Sequence, residues 1–593
     1  MAKLWVLKDT ANAVTVKELA AGLNINPVLS ALLAQRGISN FDEAKYFFRP
    51  TELHLHDPFL MQDMEKAIER IEQAIAKNEK ILIYGDYDVD GTTAVALTYS
   101  FFEKLHKNIE YYIPDRYKEG YGISTQGIDY AAENGFSLII ALDCGIKSVD
   151  KIVYANTLGV DFIICDHHLP GAQLPAAVAV LDPKRSDCGY PYKELSGAGI
   201  GFKLIQAWME KNDLPFEGVA EYLDLVAISI ACDIVHVTGE NRVLAYLGLK
   251  KINENPCMGV KTLMQVAGRG STYTISDVVF LLGPRINAAG RIDDAKHAVE
   301  LLIACHEDAA KEKGDMINIR NTERKGHDQQ ITDEALSMID NDEVMIARKS
   351  TVVFNEDWHK GVIGIVASRL TEKYYRPTVV LTRSNGHVAG SARSVLGYDL
   401  YEALCGCSDL LIQFGGHKYA AGLTMHPENV PAFIEKFEKV VGSTITDEQL
   451  IQQISIDAEI ELKDIDSKFF RILGQFAPFG PENMSPVFLS KNVYVSGNAC
   501  LVGSAHVKMF VMQPGSAAFS SIAFNQGELL PQLKPGVPFD ICYSIEENVW
   551  REQRTIQLNI KGIMPAHPSP AGRALKSNIK SPLPGEVEGA YDT

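Results

Sequence analysis

Three short segments carry residues whose types and spacing can do chemistry. Gly85-Asp86-Tyr87-Asp88-Val89-Asp90-Gly91 alternates three carboxylates. Alternate residues of an extended segment point to the same side. Three like charges would then face one another, which is tolerable only around a cation. Asp143-Cys144-Gly145 and Asp166-His167-His168 add further acids and two imidazoles. Carboxylates mixed with imidazole suit a divalent ion such as Mn2+, with Mg2+ as the alternative. The donors suffice for two ions about 4 Å apart, an arrangement suited to phosphoester hydrolysis. Taken singly, each signal has a bland reading: a D-x-D turn or cap, a surface or core His-His pair, and Gly91 and Gly145 supplying positive φ. Their joint occurrence, each after a strand, favours a site. The register and terminal Glu of an EF-hand loop are missing, and no G-x-x-x-x-G-K-[ST] loop is present.

These clusters must be positioned by the elements that precede them. The run KILIY reads as a strand ending at the first cluster, and TTAVALTYSFFEKLHK as the helix after it, with Thr92 as its expected cap. FSLIIAL ends at Asp143 and VDFIIC at Asp166. Strands alternating with helices predict a parallel sheet covered on both faces. Ligands of such sheets bind beyond the carboxyl ends of the strands, so the three clusters should converge on one crevice.

The expected fold class is α/β: two α/β lobes, the first with a parallel sheet and the second smaller, joined by a long helix and followed by an OB-like β-barrel. Residues 1–69 read as an N-terminal helical region and 70–297 as the first lobe. The charged, helix-favouring stretch 298–345 reads as the connection. Residues 346–449 read as the second lobe, containing WHKGVIGIVASRL and FGGHKYAAGLTM. Short alternating strands over 450–565 predict the barrel, and the Pro-, Ser- and Lys-rich tail 566–593 is expected to be disordered.

Composition frames this reading. The 593 residues hold 57 Lys plus Arg against 75 Asp plus Glu, a net charge of −18. That balance argues against a protein that coats nucleic acid generally, and it leaves room for acids gathered around metal ions. If a strand is bound, the acid excess must lie elsewhere, leaving a local basic channel. The start, MAKLWVLKDTANAVTV, lacks a secretory pattern, and no apolar run approaches the ~20 residues of a membrane span. The ten cysteines are scattered, so a reducing cytoplasm is the expected location.

The motifs resemble those of the DHH phosphoesterase superfamily and, within it, the RecJ single-strand-specific DNA exonucleases. The likeness is carried by GDYDVDG, Asp143-Cys144-Gly145, Asp166-His167-His168, Asp233 in ACDIVHVTGENR, GPRINAAGR, GVIGIVASRL, GGHKYAAG and PFGPENMSPVF. It spans roughly residues 70–565. The DHH triplet identifies only the superfamily; GPRINAAGR, GGHKYAAG and the β-domain point to the RecJ branch.

The resemblance implies a 5′-to-3′ exonuclease of single-stranded DNA, using two divalent ions to release 5′-mononucleotides in repair and recombination. It implies Asp88, Asp90, Asp143, His167 and Asp233 as metal ligands, with Asp86 and Asp166 as ligands or orienting groups. His168 is implied at the scissile phosphate or leaving oxygen. Ser391, Arg393 and His417 are implied in phosphate binding, Ser391 and Arg393 at the 5′ end. Arg116, Arg285 and Arg291 are further candidates for gripping the strand, each with a salt-bridge alternative. Tyr117, Tyr121 and Phe479 are candidate base-stacking residues, and Lys491 and Lys508 candidate barrel contacts. His236, Ala392 and Glu482 depart from the family pattern.

Expected partners are single-stranded DNA, a single-strand-binding protein, a RecQ-type helicase and mismatch-repair factors; the chain is expected to be a monomer. Two other functions compete. One is a DHH phosphodiesterase of short oligonucleotides or cyclic dinucleotides, against which the β-domain counts. The other is a non-catalytic single-strand-binding scaffold, against which the intact acid set counts. An inorganic pyrophosphatase fits poorly, because Tyr84 stands where that branch places a histidine.

Overall fold

The run Lys80–Gly85 (β1) is buried at five of its six positions, as a strand covered on both faces must be. It is joined by Ile109–Tyr112 (β2), Phe136–Leu142 (β3), Asp161–Cys165 (β4) and Ala179–Leu181 (β5), in the order β2-β1-β3-β4-β5 with every pairing parallel. The chain leaves β1 outward to β2 and then returns to start β3 on the other side. Connections therefore diverge between β1 and β3, the place where doubly wound sheets open a crevice. This computed structural model describes residues 3–270, 272–550, 553–565 and 575–576.

The helices that cover the sheet also build its crevice. Val89–Leu105 (α1) is capped by Asp88, whose side chain accepts from the Gly91 N–H. Thr92 is not the cap: it sits inside the first turn, and its hydroxyl donates to the Asp88 carbonyl. Gly197–Lys211 (α2) and Leu223–Cys232 (α3) are almost wholly buried. They share one core with β1, β3 and β4. Gly283–Ile292 (α4) leads towards Glu307–Asp340 (α5), a 34-residue helix about 50 Å long.

The far end of α5 packs into the second lobe, where Ile331, Ala335 and Ile339 meet Trp358, Val366 and Leu370. That lobe is a mixed sheet of Thr351–Phe354 (β6), Thr378–Ser384 (β7), His387–Arg393 (β8), Leu411–Gly416 (β9) and Ala420–Met425 (β10). Its order is β9-β10-β8-β7-β6, and only the β6–β7 pairing is parallel. Ile363–Tyr374 (α6) packs on it.

Among the described residues, 50–446 form one compact unit, while 3–49 belong with 447–565 and 575–576 in another. The expected N-terminal region 1–69 is therefore divided. Strand Leu4–Leu7 pairs in parallel with Gln453–Ile456, and Leu19, Leu29, Leu32 and Leu33 share a core with Phe469, Phe476, Phe488 and Val507. Met61, Met64, Ala67 and Ile68 instead join the core of the first lobe. In the second unit five strands close on themselves: Phe488–Val495, Phe539–Trp550, Gln553–Pro565, Phe519–Ala523 and His506–Met512, with the last pairing back to the first. Such a closed five-stranded barrel is the OB architecture. Glu482, in the loop before the barrel, takes φ 59°, the left-handed conformation that glycine adopts most cheaply. Apart from residues 575–576, the tail expected to be disordered lies outside the described residues. No helix among the described residues is long and apolar enough to cross a membrane.

Candidate metal centre and interlobe cleft

The carboxyl ends of β1, β3 and β4 bring the acidic clusters together. Asp86, Asp90, Asp143 and Asp166 are all essentially buried. His167 stands among them: its Nε2 lies 3.2 Å from Asp143 Oδ1, 3.4 Å from Asp233 Oδ2 and 3.8 Å from Asp90 Oδ2. Two sets of donor atoms result, Asp143–His167–His168 and Asp90–His167–Asp233, each within 4.8 Å of one another. His167 belongs to both. Buried Asp86 Oδ2 and Asp143 Oδ1 have no hydrogen-bond partner among the described residues. An orphaned buried carboxylate oxygen is costly, and a bound cation is the partner that relieves the cost.

Backbone geometry aims these groups. Asp143 takes φ 59°, an uncommon conformation that Asp tolerates better than most residues. A Cβ on Gly197 would lie 2.6 Å from Asp143 Cβ, so only glycine lets α2 come this close. Asp90 caps that helix from outside. Its Oδ2 accepts from Gly197 N at 2.6 Å, and its Oδ1 from Ala198 N at 2.7 Å and Ser229 Oγ at 2.7 Å. The helix N-terminus favours the negative charge. Asp233 follows the last turn of α3, and Ile234 beyond it takes φ 60°, a strained corner for a β-branched residue.

The protonation pattern follows from burial and crowding. Burial, then the Asp88 charge, holds Asp86 well above the usual carboxylate range; the same two causes push Asp90 up to about 6. Asp143 is raised by burial, then by Asp90, Asp88 and Asp233. His167 is held well below its ordinary value by burial and then by His168, which keeps it neutral and able to ligate.

Asp166 behaves differently. Burial opposes its charge, but His168 and several donors hold it far below the usual range. Its Oδ1 accepts from His168 Nδ1 at 2.7 Å and from the amides of His167 and His168; its Oδ2 accepts from Ile146 N at 2.8 Å. Burial works against a charged His168 ring, yet Asp166 outweighs it and lifts the ring to about 8. Asp166 thus orients the triplet, and His168 presents Nε2 outward, 3.3 Å from the Tyr121 hydroxyl. A divalent ion fits this donor set: clustered acids, a neutral imidazole and buried carboxylate oxygens without partners.

Away from the acids the surface changes sign. A cleft of about 660 Å³ runs between α5 and the two lobes, lined by Arg291, Arg324, Lys325, Arg369 and Arg393 against only Asp328 and Glu372. Ser391 sits two residues before Arg393 on β8, and its hydroxyl accepts from Arg393 Nη1 at 3.2 Å. Phe280, at the cleft, is 72% exposed; the sequence reading passed over it because one Phe in VVFLL looks like core.

The other expected residues distribute unevenly. Arg116 lies over the Tyr87 ring, its Cζ 4.7 Å from the centroid, beside the acids. Tyr121 is at the centre and 53% exposed, whereas the Tyr117 hydroxyl donates to the Arg291 carbonyl. Arg285 is buried and turned inward, donating to Leu281 O, Asn318 Oδ1 and Val266 O. It ties α4 to its neighbours rather than facing a strand. His417 is exposed in the turn between β9 and β10 and does not line the cleft. Phe479 packs against the barrel core, Lys491 pairs with Glu459 at 2.7 Å, and Lys508 is exposed on the barrel. The His236 carbonyl accepts from Tyr192 and Asn241. Ala392 is fully buried in the strand pairing of β8.

Comparison with known proteins matches this architecture domain by domain. Residues 80–230 match the DHH family, N-terminal domain; 344–443 match the DHHA1 domain; and 456–562 match the RecJ OB domain. The chain is 38% identical over 550 residues to the single-stranded-DNA-specific exonuclease RecJ of Bacillus subtilis (strain 168), covering 92% of this chain and 69% of that protein. It is 31% identical to the protein of the same name from Escherichia coli K12, covering 91% and 96%. The crystal structure of RecJ in complex with Mn2+ from Thermus thermophilus superposes with a TM-score of 0.82 at 26% identity, covering 95% of this chain and 80% of that one. On its domain order, its acidic centre and these relatives, the chain belongs to the RecJ family of DHH phosphoesterases.

Proposed function

We propose that this protein is a 5′-to-3′ exonuclease of single-stranded DNA that releases 5′-mononucleotides and serves DNA repair and recombination. The observation that carries the proposal is His167 Nε2 within 3.2–3.8 Å of three carboxylates from three different elements, Asp90 and Asp143 buried and Asp233 partly so. Asp90, Asp143, His167 and Asp233 would hold two divalent ions, with Asp88 and His168 at the rim; Mn2+ or Mg2+ suits these donors. Bound there, such ions would lower the pKa of water and neutralise charge developing on the phosphate.

The protein's own groups do the rest. Asp166 accepts from His168 Nδ1–H and favours the doubly protonated ring, whose Nε2–H faces the space beside Tyr121, where that proton can be given to a leaving oxygen. Arg393, Ser391 and Arg291 supply a basic grip for the 5′ phosphate, since guanidinium matches phosphate with paired donors. Phe280 offers a face for a base. The match to the RecJ OB domain supports a polymeric substrate.

The test is digestion of 5′- and 3′-labelled single and double strands with Mn2+, Mg2+ or EDTA, with the first product identified. A labelled mononucleotide released from the 5′ end of single strands only, and none in EDTA, is the expected result. Release from the 3′ end, or equal digestion of duplex, overturns it. A dinucleotide run in parallel separates this activity from that of a short-oligonucleotide phosphodiesterase.

A further inference from the structure

Two cations from different lobes stand beside the acidic centre, Arg116 over the Tyr87 ring and Lys360 near the ring of Tyr117, the residue after Arg116. Arg116, in the loop after β2, is only half-exposed, and none of its donors has a hydrogen-bond or ion-pair partner among the described residues. A guanidinium carries five donors, and sequestering it without acceptors is unfavourable. Lys360 approaches from the second lobe, its Nζ 5.9 Å from the centroid of the Tyr117 ring, and it too lacks a carboxylate partner among the described residues. Burial, and then the charge of Arg116, hold the Lys360 pKa below the usual lysine range.

The backbone under Lys360 is held firmly. A Cβ on Gly361 would lie 2.4 Å from the Arg291 carbonyl oxygen and 2.5 Å from the Tyr117 hydroxyl, so this turn sits flush on the first lobe. His359 Nδ1 accepts from Gly361 N at 3.1 Å, and its ring stacks on His327 of α5 with centroids 5.2 Å apart at 19°. A long, flexible cation on so fixed a base is placed for a ligand rather than left to wander. The sequence reading did not single out Lys360, because one lysine in WHKGVIG has no spacing signal.

We propose that Lys360 is a substrate-binding residue, its ammonium and the Arg116 guanidinium gripping one phosphate of the single strand from opposite lobes. This rests on the nuclease reading above and adds a residue that reading did not use. The anion supplies the acceptors both cations lack and joins the second lobe to the first.

The test uses the full chain. KM and kcat with Mn2+ are measured for wild type, Lys360→Gln and Lys360→Arg on 5′-phosphorylated and 5′-hydroxyl oligonucleotides. Binding of the same strands is measured in EDTA across a salt series. Lys360→Gln is expected to raise KM about tenfold, the loss of one charge-assisted bond, with kcat within about twofold. The slope of log Kd against log salt should fall by about 0.7, one phosphate contact on a single strand. Lys360→Arg should restore most of both. A change on both oligonucleotides assigns an internal phosphate; a change only on the phosphorylated one assigns the terminal phosphate. Lys360→Gln with unaltered KM and salt slope, in an enzyme that cleaves and melts like wild type, overturns this inference alone. A wild type that neither binds nor cleaves the strand overturns the nuclease reading with it.

Discussion

Asp143→Asn should make the metal-free protein more stable while abolishing its stabilisation by metal. Asp143 is 1% exposed, its Oδ1 is orphaned, and burial together with Asp90, Asp88 and Asp233 raises its pKa. The amide removes the buried charge that three neighbouring acids crowd and offers them an N–H donor, a relief of about 1–3 kcal/mol. The unit that holds it spans about 400 residues, so at about 2.1 cal/mol/K per residue each kcal/mol moves Tm by about 1 °C. In EDTA the variant should therefore melt about 1–4 °C above wild type. Saturating Mn2+ at about 100 Kd should add about 2.7 kcal/mol per site to wild type, or about 3 °C, and little to the variant.

The sign with pH also follows. A carboxyl whose folded pKa lies above its unfolded value penalises the fold in full above the folded pKa, and the penalty fades as pH falls from the folded pKa to the unfolded value of about 3.9. His168, raised to about 8, acts in the same direction, since its contribution is lost as pH rises through 8. His167, with a depressed pKa, opposes both only below its unfolded pKa of about 6.5. Through His168, metal-free wild type should thus gain stability from pH 9 to 7, and Asp143→Asn should lose less stability than wild type as pH rises out of the ordinary carboxylate range. Differential scanning calorimetry in EDTA and in Mn2+ reads both effects. A variant that melts below wild type in EDTA and keeps the full Mn2+ shift refutes the reasoning.

Arg393→Ala should raise KM about tenfold or more on 5′-phosphorylated strands while lowering kcat less; steady-state kinetics unchanged on such strands would remove Arg393 from phosphate binding. Glu119 accepts from Ser124 Oγ, from Tyr112 Oη at 3.0 Å and from Asp115 N at 2.8 Å, latching the loop that carries Arg116 and Tyr121. Glu119→Ala should speed amide exchange over residues 113–124 and raise KM; exchange as slow as in wild type would reject the latch. Lys203 and Glu240 form a fully buried ion pair, with Tyr190 Oη 2.6 Å from Glu240. Lys203→Met leaves that carboxylate uncompensated and should cost about 3–5 kcal/mol, read as a lower Tm; an unchanged Tm contradicts it.

Legibility in the sequence followed the range of the interaction. Asp86, Asp143 and Asp166 could be placed because each ends an apolar strand, and strand ends of a parallel sheet meet by topology. Asp233 carried no local signal beyond its family motif, because it ends a helix. The grip of Gly197 and Ala198 amides on Asp90 joins residues more than a hundred positions apart, and nothing near either partner announces it. Arg285 and Arg291 look alike within one motif, yet facing carbonyls consume the first while the second lines the cleft. The first 49 residues were read as helical, which most of them are. Their partner is the barrel at the other end of the chain, a pairing no local pattern encodes.

If the acids around His167 are the reacting centre, removing one of them must stop the reaction without unfolding the protein. The most direct measurement is the initial rate of mononucleotide release from a 5′-labelled single strand in Mn2+ by Asp143→Ala, with folding checked by circular dichroism. The expected result is a fall of at least about a thousandfold, or about 4 kcal/mol, in a protein that melts cooperatively. A folded Asp143→Ala enzyme with undiminished Mn2+-dependent release would contradict it.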